Sequence, residues 1–225
     1  MKFALAIFAI ALLLGNQHGN CQGAFQNLDF EAANVPDVPS NTDGGTVTLT
    51  SGMPGWTAIP VGLLGTNLVI GHNTFSAGGA VVAIEGPQLS APAILDGNYT
   101  AYLQGSTFGT PTSAYIAQTG QIPLGSESLQ FFASPSANFQ LSIGGQVIPT
   151  VELGSTPNYD IMGADISAFA GQTDELRFTA LPNISGGFLD DIQFSVSPVP
   201  EPGTLALFAT GAVLLALRRR RNAMS

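Results

Sequence analysis

Carboxylates dominate the chemistry this chain could perform. Fourteen of its acids lie between Ala24 and Ser197, against a single base, Arg177, and no lysine. Asp190 stands out among them. In Phe188-Leu189-Asp190-Asp191-Ile192-Gln193-Phe194 it shares its parity with Phe188, Ile192 and Phe194. On a half-buried strand that parity turns Asp190 inward and Asp191 outward. A buried carboxylate must be paired, hydrogen-bonded or metal-bound to stay charged. Arg177 alternates with Leu176 and Phe178 and is expected to face solvent, so it is no partner. Two alternatives stay open: calcium held by Glu31, Asp190 and backbone carbonyls, which suits oxygen-ligand chemistry, or a carboxylate that caps loop amides or is turned outward by a bulge.

Other chemistry is thinly supplied. Past the first 23 residues His72 is the only histidine, and nothing near it resembles a nucleophile elbow, so it reads as a loop residue rather than a catalytic base. Asp29, Glu31, Glu85, Glu127 and Asp160 could supply the two carboxyls of a glycoside hydrolase, but coincidental pairs abound in so acidic a chain. Tyr102, out of phase with Tyr99, Ala101 and Leu103, is expected to expose an aromatic face. With Tyr115 it forms the nucleus of a candidate glycan platform that Phe108 and Tyr159 could extend. Trp56 could stack on a sugar, although a lone tryptophan more often fills a core. Asn98-Tyr99-Thr100 and Asn183-Ile184-Ser185 fit the glycosylation sequon, which matters only in a suitable host.

The elements that must position these groups follow period two rather than 3.6. Phe139, Leu141 and Ile143 alternate with Gln140 and Ser142, and Leu176, Phe178 and Ala180 alternate with Arg177 and Thr179. Leu129 and Phe131 flank Gln130. Further strands are predicted over Phe25–Glu31, Thr46–Thr50, Leu68–Gly71, Ala80–Glu85, Tyr99–Gln104, Tyr115–Gln118 and Val147–Glu152. Thr42-Asp43-Gly44-Gly45, Asp96-Gly97-Asn98, Gly144-Gly145 and Pro182-Asn183 supply turns. One helical turn is predicted, with Asp165 as cap, Ile166 to Ala170 as the turn and Gly171 as the stop. About ten short strands without long helices predict an all-β fold, an antiparallel jelly-roll-type β-sandwich.

Both ends of the chain look like handling segments. Met1-Lys2 and the apolar stretch Phe3–Leu14 have the n- and h-regions of a signal peptide, with cleavage expected after Gly23. Cys21 follows a poor lipobox in His18-Gly19-Asn20 and reads as no lipidation site. At the other end, Val199-Pro200-Glu201-Pro202 leads into an uncharged run from Gly203 to Leu217, then Arg218, Arg219, Arg220 and Arg221. As a helix those 15 residues span roughly 22 Å, short of the ~30 Å hydrocarbon core, so they hold a membrane loosely. The arginines belong on the cytoplasmic side, which leaves the body outside. The expected organisation is therefore a signal peptide at 1–23, an exported sandwich at 24–197, and a tail at 198–225 containing a single transmembrane helix.

The sandwich segment carries a formal charge of −13. Such a surface repels phosphate backbones, which excludes nucleic acid as a partner, and anionic headgroups likewise. Once Gly23 is the last residue removed, no cysteine is left, which at this size needs no disulfide compensation.

The tail resembles the PEP-CTERM sorting signal: a Pro-Glu-Pro element, an apolar helix and an arginine cluster in that order at the C-terminus. The resemblance implies recognition by an exosortase, removal of the helix, and delivery of the body to the cell surface or its exopolysaccharide. A second resemblance covers short motifs of the body. Asn27-Leu28-Asp29-Phe30-Glu31, Pro54-Gly55-Trp56 and Phe188-Leu189-Asp190-Asp191-Ile192 resemble the galactose-binding-like jelly rolls of carbohydrate-binding modules, with Leu-Asp where that family usually has Asn-Gly. It implies that the first and last strands lie near each other, often around a structural calcium. The function expected is that of a non-enzymatic envelope or matrix protein with a possible glycan-interacting sandwich. A secreted polysaccharide-active hydrolase on the same sandwich is the alternative.

Overall fold

The computed structural model describes residues 25–35, 45–74, 78–87, 94–183 and 186–199. The expected signal peptide, Cys21, the membrane helix and the motif residues Pro200 to Arg221 lie outside the described residues. Among the described residues no helix is long and apolar enough to cross a membrane.

Among the described residues fourteen strands form two sheets. In chain order they are β1 (Gly45–Thr48), β2 (Thr57–Ile59), β3 (Gly62–Leu64), β4 (Asn67–His72), β5 (Val81–Glu85), β6 (Thr100–Gln104), β7 (Ala114–Gln121), β8 (Ser128–Ala133), β9 (Phe139–Ile143), β10 (Gln146–Ile148), β11 (Val151–Ser155), β12 (Asp160–Asp165), β13 (Thr173–Ala180) and β14 (Gly187–Ser195). A nine-stranded sheet has the order β1-β4-β5-β6-β14-β8-β12-β11, with β3 beside β4, and a five-stranded sheet has the order β10-β9-β13-β7-β2. Every pairing is antiparallel except β4 with β5, which run parallel through Gly71–Ala83 and His72–Ile84. That pair corrects the purely antiparallel expectation.

Alternation explains why the sheets pack face to face. On β13, Leu176, Phe178 and Ala180 are buried while Glu175, Arg177 and Thr179 are partly exposed on the other side. Phe178 meets Phe131 of β8 edge-on across the layers, ring centroids 5.0 Å apart, a geometry aromatic pairs favour. One apolar cluster, including Ile84, Leu103, Ile116, Leu129, Leu141 and Leu189, joins the two inner faces.

The period-two signal located most strands but not their continuity. The segment predicted as one strand over Val147–Glu152 is two, β10 and β11, and Pro149 lies in the break between them. The segment Phe25–Glu31 is not a strand. Asn27 and Phe30 adopt left-handed backbone, with φ of 50° and 58°, which no extended run accommodates. Asn27 also folds its side chain back to accept the Ala32 amide at 2.9 Å. Its apolar residues are nonetheless buried: Phe25, Leu28 and Phe30 are at most 3% exposed. Leu28 accepts the Ile192 amide at 3.0 Å, so the opening segment does lie against the last strand. The predicted helical turn is a 3-10 turn at Ser167–Phe169, with Asp165 accepting the Ser167 amide at 2.9 Å.

Candidate functional site

Two faces of the sandwich gather polar side chains. The first is the outer face of the nine-stranded sheet. Register places Glu85 opposite Thr100, and Ala83 opposite Tyr102, which in turn faces Phe188. Thr100 Oγ1 donates to Asp190 Oδ2 at 2.6 Å, so Glu85, Thr100 and Asp190 stand side by side on three neighbouring strands. All three are at most 1% exposed.

Asp190 is inside, but not by the parity the sequence indicates. Leu189 and Ile192 both point into the core, and two core residues three apart require an extra residue between them. The register slips between Asp190 and Gln193, and Asp191 has a φ of 44°. This bulge puts Asp190 on the outer face, where the loop before β6 covers it. Its Oδ1 accepts the Asp191 amide at 2.8 Å and its Oδ2 accepts the Asp96 amide at 3.3 Å besides Thr100. Burial pushes its carboxyl up to about 7, with the hydroxyl and amide donors holding it back.

Glu31 grips the same loop. Its Oε1 accepts the amides of Asn98 at 2.7 Å and Tyr99 at 2.9 Å, and its Oε2 accepts Asn98 Nδ2 at 3.0 Å. Calcium needs oxygen lone pairs. Glu31 and Asp190 each accept three hydrogen bonds from N–H and O–H donors, and no group of three His, Cys, Asp or Glu suited to a metal occurs among the described residues. Capping of loop amides, the other reading, is what these carboxylates do.

Glu85, passed over as one acid among several, is the more anomalous. It is 0% exposed, and neither carboxyl oxygen completes a hydrogen bond among the described residues. Burial drives it up to about 8, with the Thr74 backbone offering slight relief. A neutral acid avoids the cost of an unpaired buried charge. Nothing in the sequence sets it apart from the other candidate carboxyls, because Val81-Val82-Ala83-Ile84-Glu85 reads as a strand ending at a polar turn. His72, anticipated in a loop, ends β4 at 1% exposure. Its Nε2 has no partner among the described residues, and burial lowers its pKa.

Tyr102 does not offer the aromatic platform foreseen. It is 7% exposed, its hydroxyl donates to Gln104 Oε1 at 2.6 Å, and its ring tilts against Phe188 at 5.1 Å. Trp56 is core: it stacks on Phe30 and its Nε1 donates to Asn27 O at 2.9 Å. Tyr159 lies flat on Phe132, 4.1 Å away. Phe108 is 68% exposed.

The second polar face is the outer side of the five-stranded sheet, where Tyr115 is half-buried. The Arg177 guanidinium lies 4.1 Å from its centroid, and Arg177 Nε donates to Glu175 Oε1 at 2.8 Å. Around them Gln140, Ser142 and Thr179 line a cleft of about 430 Å³, within the range of small-ligand sites. A more apolar cleft of about 320 Å³ opens between Val61, Val69, Thr74 and Val81.

Residues 198–221 match a sequence family described as the PEP-CTERM protein-sorting motif. The tail is a PEP-CTERM motif. That motif indicates export and a surface or extracellular destination. No curated protein matches the chain. Solved structures with partial likeness include a Stig cyclase, Fisc from Fischerella sp. TAU (16% identity, 79% of this chain and 98% of that one, TM-score 0.47). Others are the family 11 carbohydrate-binding module of Lic26A-Cel5E from Clostridium thermocellum (12%, 70% and 97%, TM-score 0.34) and the secreted serine protease VesC from Vibrio cholerae (11%, 70% and 44%, TM-score 0.30). These scores are too low to carry either detailed topology or activity across.

Proposed function

We propose that this is an exported, non-enzymatic protein of the cell surface or extracellular matrix. An exosortase-type enzyme sorts it through its PEP-CTERM tail, and its jelly-roll-type sandwich contacts a glycan. The observation that carries the reading is the motif at 198–221, with its Pro-Glu-Pro element, apolar run and terminal arginines in order. In this reading residues 1–23 are removed as a signal peptide, 24–197 are the working domain, and the run from Gly203 to Leu217 holds the membrane until sorting.

The glycan contact is assigned to the Tyr115–Arg177 cleft. Arg177 is the one cation of residues 24–197, and here it is fixed between a ring and a carboxylate. Guanidinium donors beside carboxylate, amide and hydroxyl groups match the mixed donor and acceptor character of sugar hydroxyls. The acidic charge of the body favours a neutral exopolysaccharide over an anionic one. The hydrolase alternative draws less support. The two most acid-like carboxyls, Glu85 and Asp190, line neither of the clefts described, and glycoside hydrolysis needs both carboxyls at the scissile bond.

The test is mass spectrometry of both ends of the mature protein, for the parent chain and for Glu201→Ala. Loss of the tail from the parent and retention in the variant supports sorting. Unchanged processing of Glu201→Ala overturns it.

A further inference from the structure

The end of the sandwich from which the tail departs carries an exposed apolar feature that the fold does not use. Pro123-Leu124-Gly125-Ser126 forms a tight turn, with the Ser126 amide donating to Pro123 O at 3.2 Å and Gly125 at a φ of 77°. The turn holds Leu124 at its tip, 82% exposed, the most exposed large apolar side chain among the described residues. Val196 is 75% exposed. The two belong to one end of the molecule: the Glu127 amide donates to Ser195 O at 2.8 Å, and Ser128 Oγ donates to Ser197 O at 2.7 Å. Those bonds fasten the chain to this end as far as Ser197.

Chain length then limits where the sorting element can be. Glu201 is four residues beyond Ser197, at most about 14 Å of fully extended backbone. Gly203, where the apolar run begins, is six residues beyond, at most about 21 Å. An enzyme that grips Pro200-Glu201-Pro202 at the membrane is therefore held within a short tether of the end that carries the Leu124 turn.

We propose that the Leu124–Val196 end is a docking surface for the membrane-bound sorting enzyme, engaged together with the Pro-Glu-Pro element; this rests on the sorting function argued above. A protein partner is favoured over the lipid surface by charge. Glu127 and Asp165 are exposed beside the turn, and the body's one cation lies on the outer face of the five-stranded sheet, so anionic headgroups find repulsion here. An apolar notch with a basic rim on the enzyme is the complementary chemistry. The hydrogen-bonded turn already holds the backbone at Leu124, so covering this side chain orders little more of the chain.

The experiment follows tail removal over time in the producing host, using the full chain. Leu124→Asp and Val196→Asp are compared with the parent, with Leu68→Asp as an exposed control on β4, and with Glu201→Ala. Thermal unfolding of the isolated bodies verifies that each variant folds. The expected result is slowing by roughly fivefold or more for Leu124→Asp, the effect of losing one interface anchor, with Leu68→Asp at the parental rate. Inserting a flexible Gly/Ser stretch of about twelve residues after Ser197, long enough to release the tether, should make Leu124→Asp and the parent alike. Parental processing of Leu124→Asp alongside a block in Glu201→Ala sinks the docking surface and leaves sorting intact. Normal processing of Glu201→Ala sinks the sorting reading itself. Leu124-dependent binding of the purified body to anionic phospholipid vesicles overturns the choice of a protein partner.

Discussion

Glu31 and Gly97 are fitted to one another so closely that a Cβ on residue 97 would fall 2.3 Å from Glu31 Oε1. Gly97 has a φ of 61° and lets the backbone turn under the carboxylate, which then accepts the amides of Asn98 and Tyr99. The opening segment is thereby clamped to the loop that covers Asp190.

Gly97→Ala should therefore destabilise the domain by about 2–3 kcal/mol, combining left-handed strain with displacement of the carboxylate. Glu31→Ala, which leaves the two amides without their acceptor, should cost about 1–2 kcal/mol. Urea unfolding of the exported domain measures both. If the clamp is one unit, the double variant should lose less than the sum of the single ones.

Gly105 tests a different constraint. A Cβ there would sit 2.2 Å from the backbone oxygen of Leu181, and backbone cannot rotate away as a flexible side chain can. Gly105→Ala should cost about 3 kcal/mol or more, in the range of overpacking with a backbone shift. A thermal midpoint within a degree or two of the parent would refute that packing.

How much of this was legible beforehand depended on whether one side chain in two really faced the core. On β9 and β13 nothing interrupts the pleat, so Leu141, Ile143, Leu176 and Phe178 were recognisable as core, and Arg177 as outward-facing. On β14 the bulge at Asp191 shifts the parity, so Asp190 was placed inside for a reason that does not hold. Asn27 and Phe30 read as strand residues because composition does not announce left-handed backbone. Tyr102 has the alternation of an exposed ring, but Phe188 on the neighbouring strand covers it, a contact separated by more than 80 residues of sequence. The Tyr115–Arg177 stack was half legible: Arg177 was outward by parity and Tyr115 a candidate contact ring, and only the register of β7 against β13 brings them together.

The buried acids make stability depend on pH in a determinate direction. Glu85 and Asp190 have folded-state values raised to about 8 and about 7, so the folded state binds more protons than the unfolded chain between its ordinary carboxyl range and those values. Their contribution is fully present below the unfolded pKa and is lost as pH rises through the folded pKa. Stability should fall across roughly pH 4 to 8, by up to about 1.4 kcal/mol per pH unit for each acid. Glu85→Gln should flatten the upper part of that fall and leave the Asp190 part in place. Chemical denaturation at a series of pH values decides it; a variant as pH-sensitive as the parent would show that Glu85 is not held protonated.

The glycan cleft offers the sharpest separation of scaffold from function. Tyr115 and Arg177 sit on the outer face, away from Ile116 and Phe178 in the core, so replacing them should spare the fold. Arg177→Ala removes one cation–π contact and one partly exposed ion pair, each worth about 1 kcal/mol or less. If the cleft binds a neutral polysaccharide, Tyr115→Ala and Arg177→Ala should each weaken retardation in affinity electrophoresis through the native exopolysaccharide by roughly tenfold, the loss of about 1.4 kcal/mol of binding. Arg177→Lys keeps the charge but not the planar fork, so it should recover little. Full recovery by lysine would mean that charge alone attracts the polymer and that the ligand is anionic. Retardation unchanged in all three variants, with the parent clearly retarded, would move the glycan contact elsewhere on the sandwich.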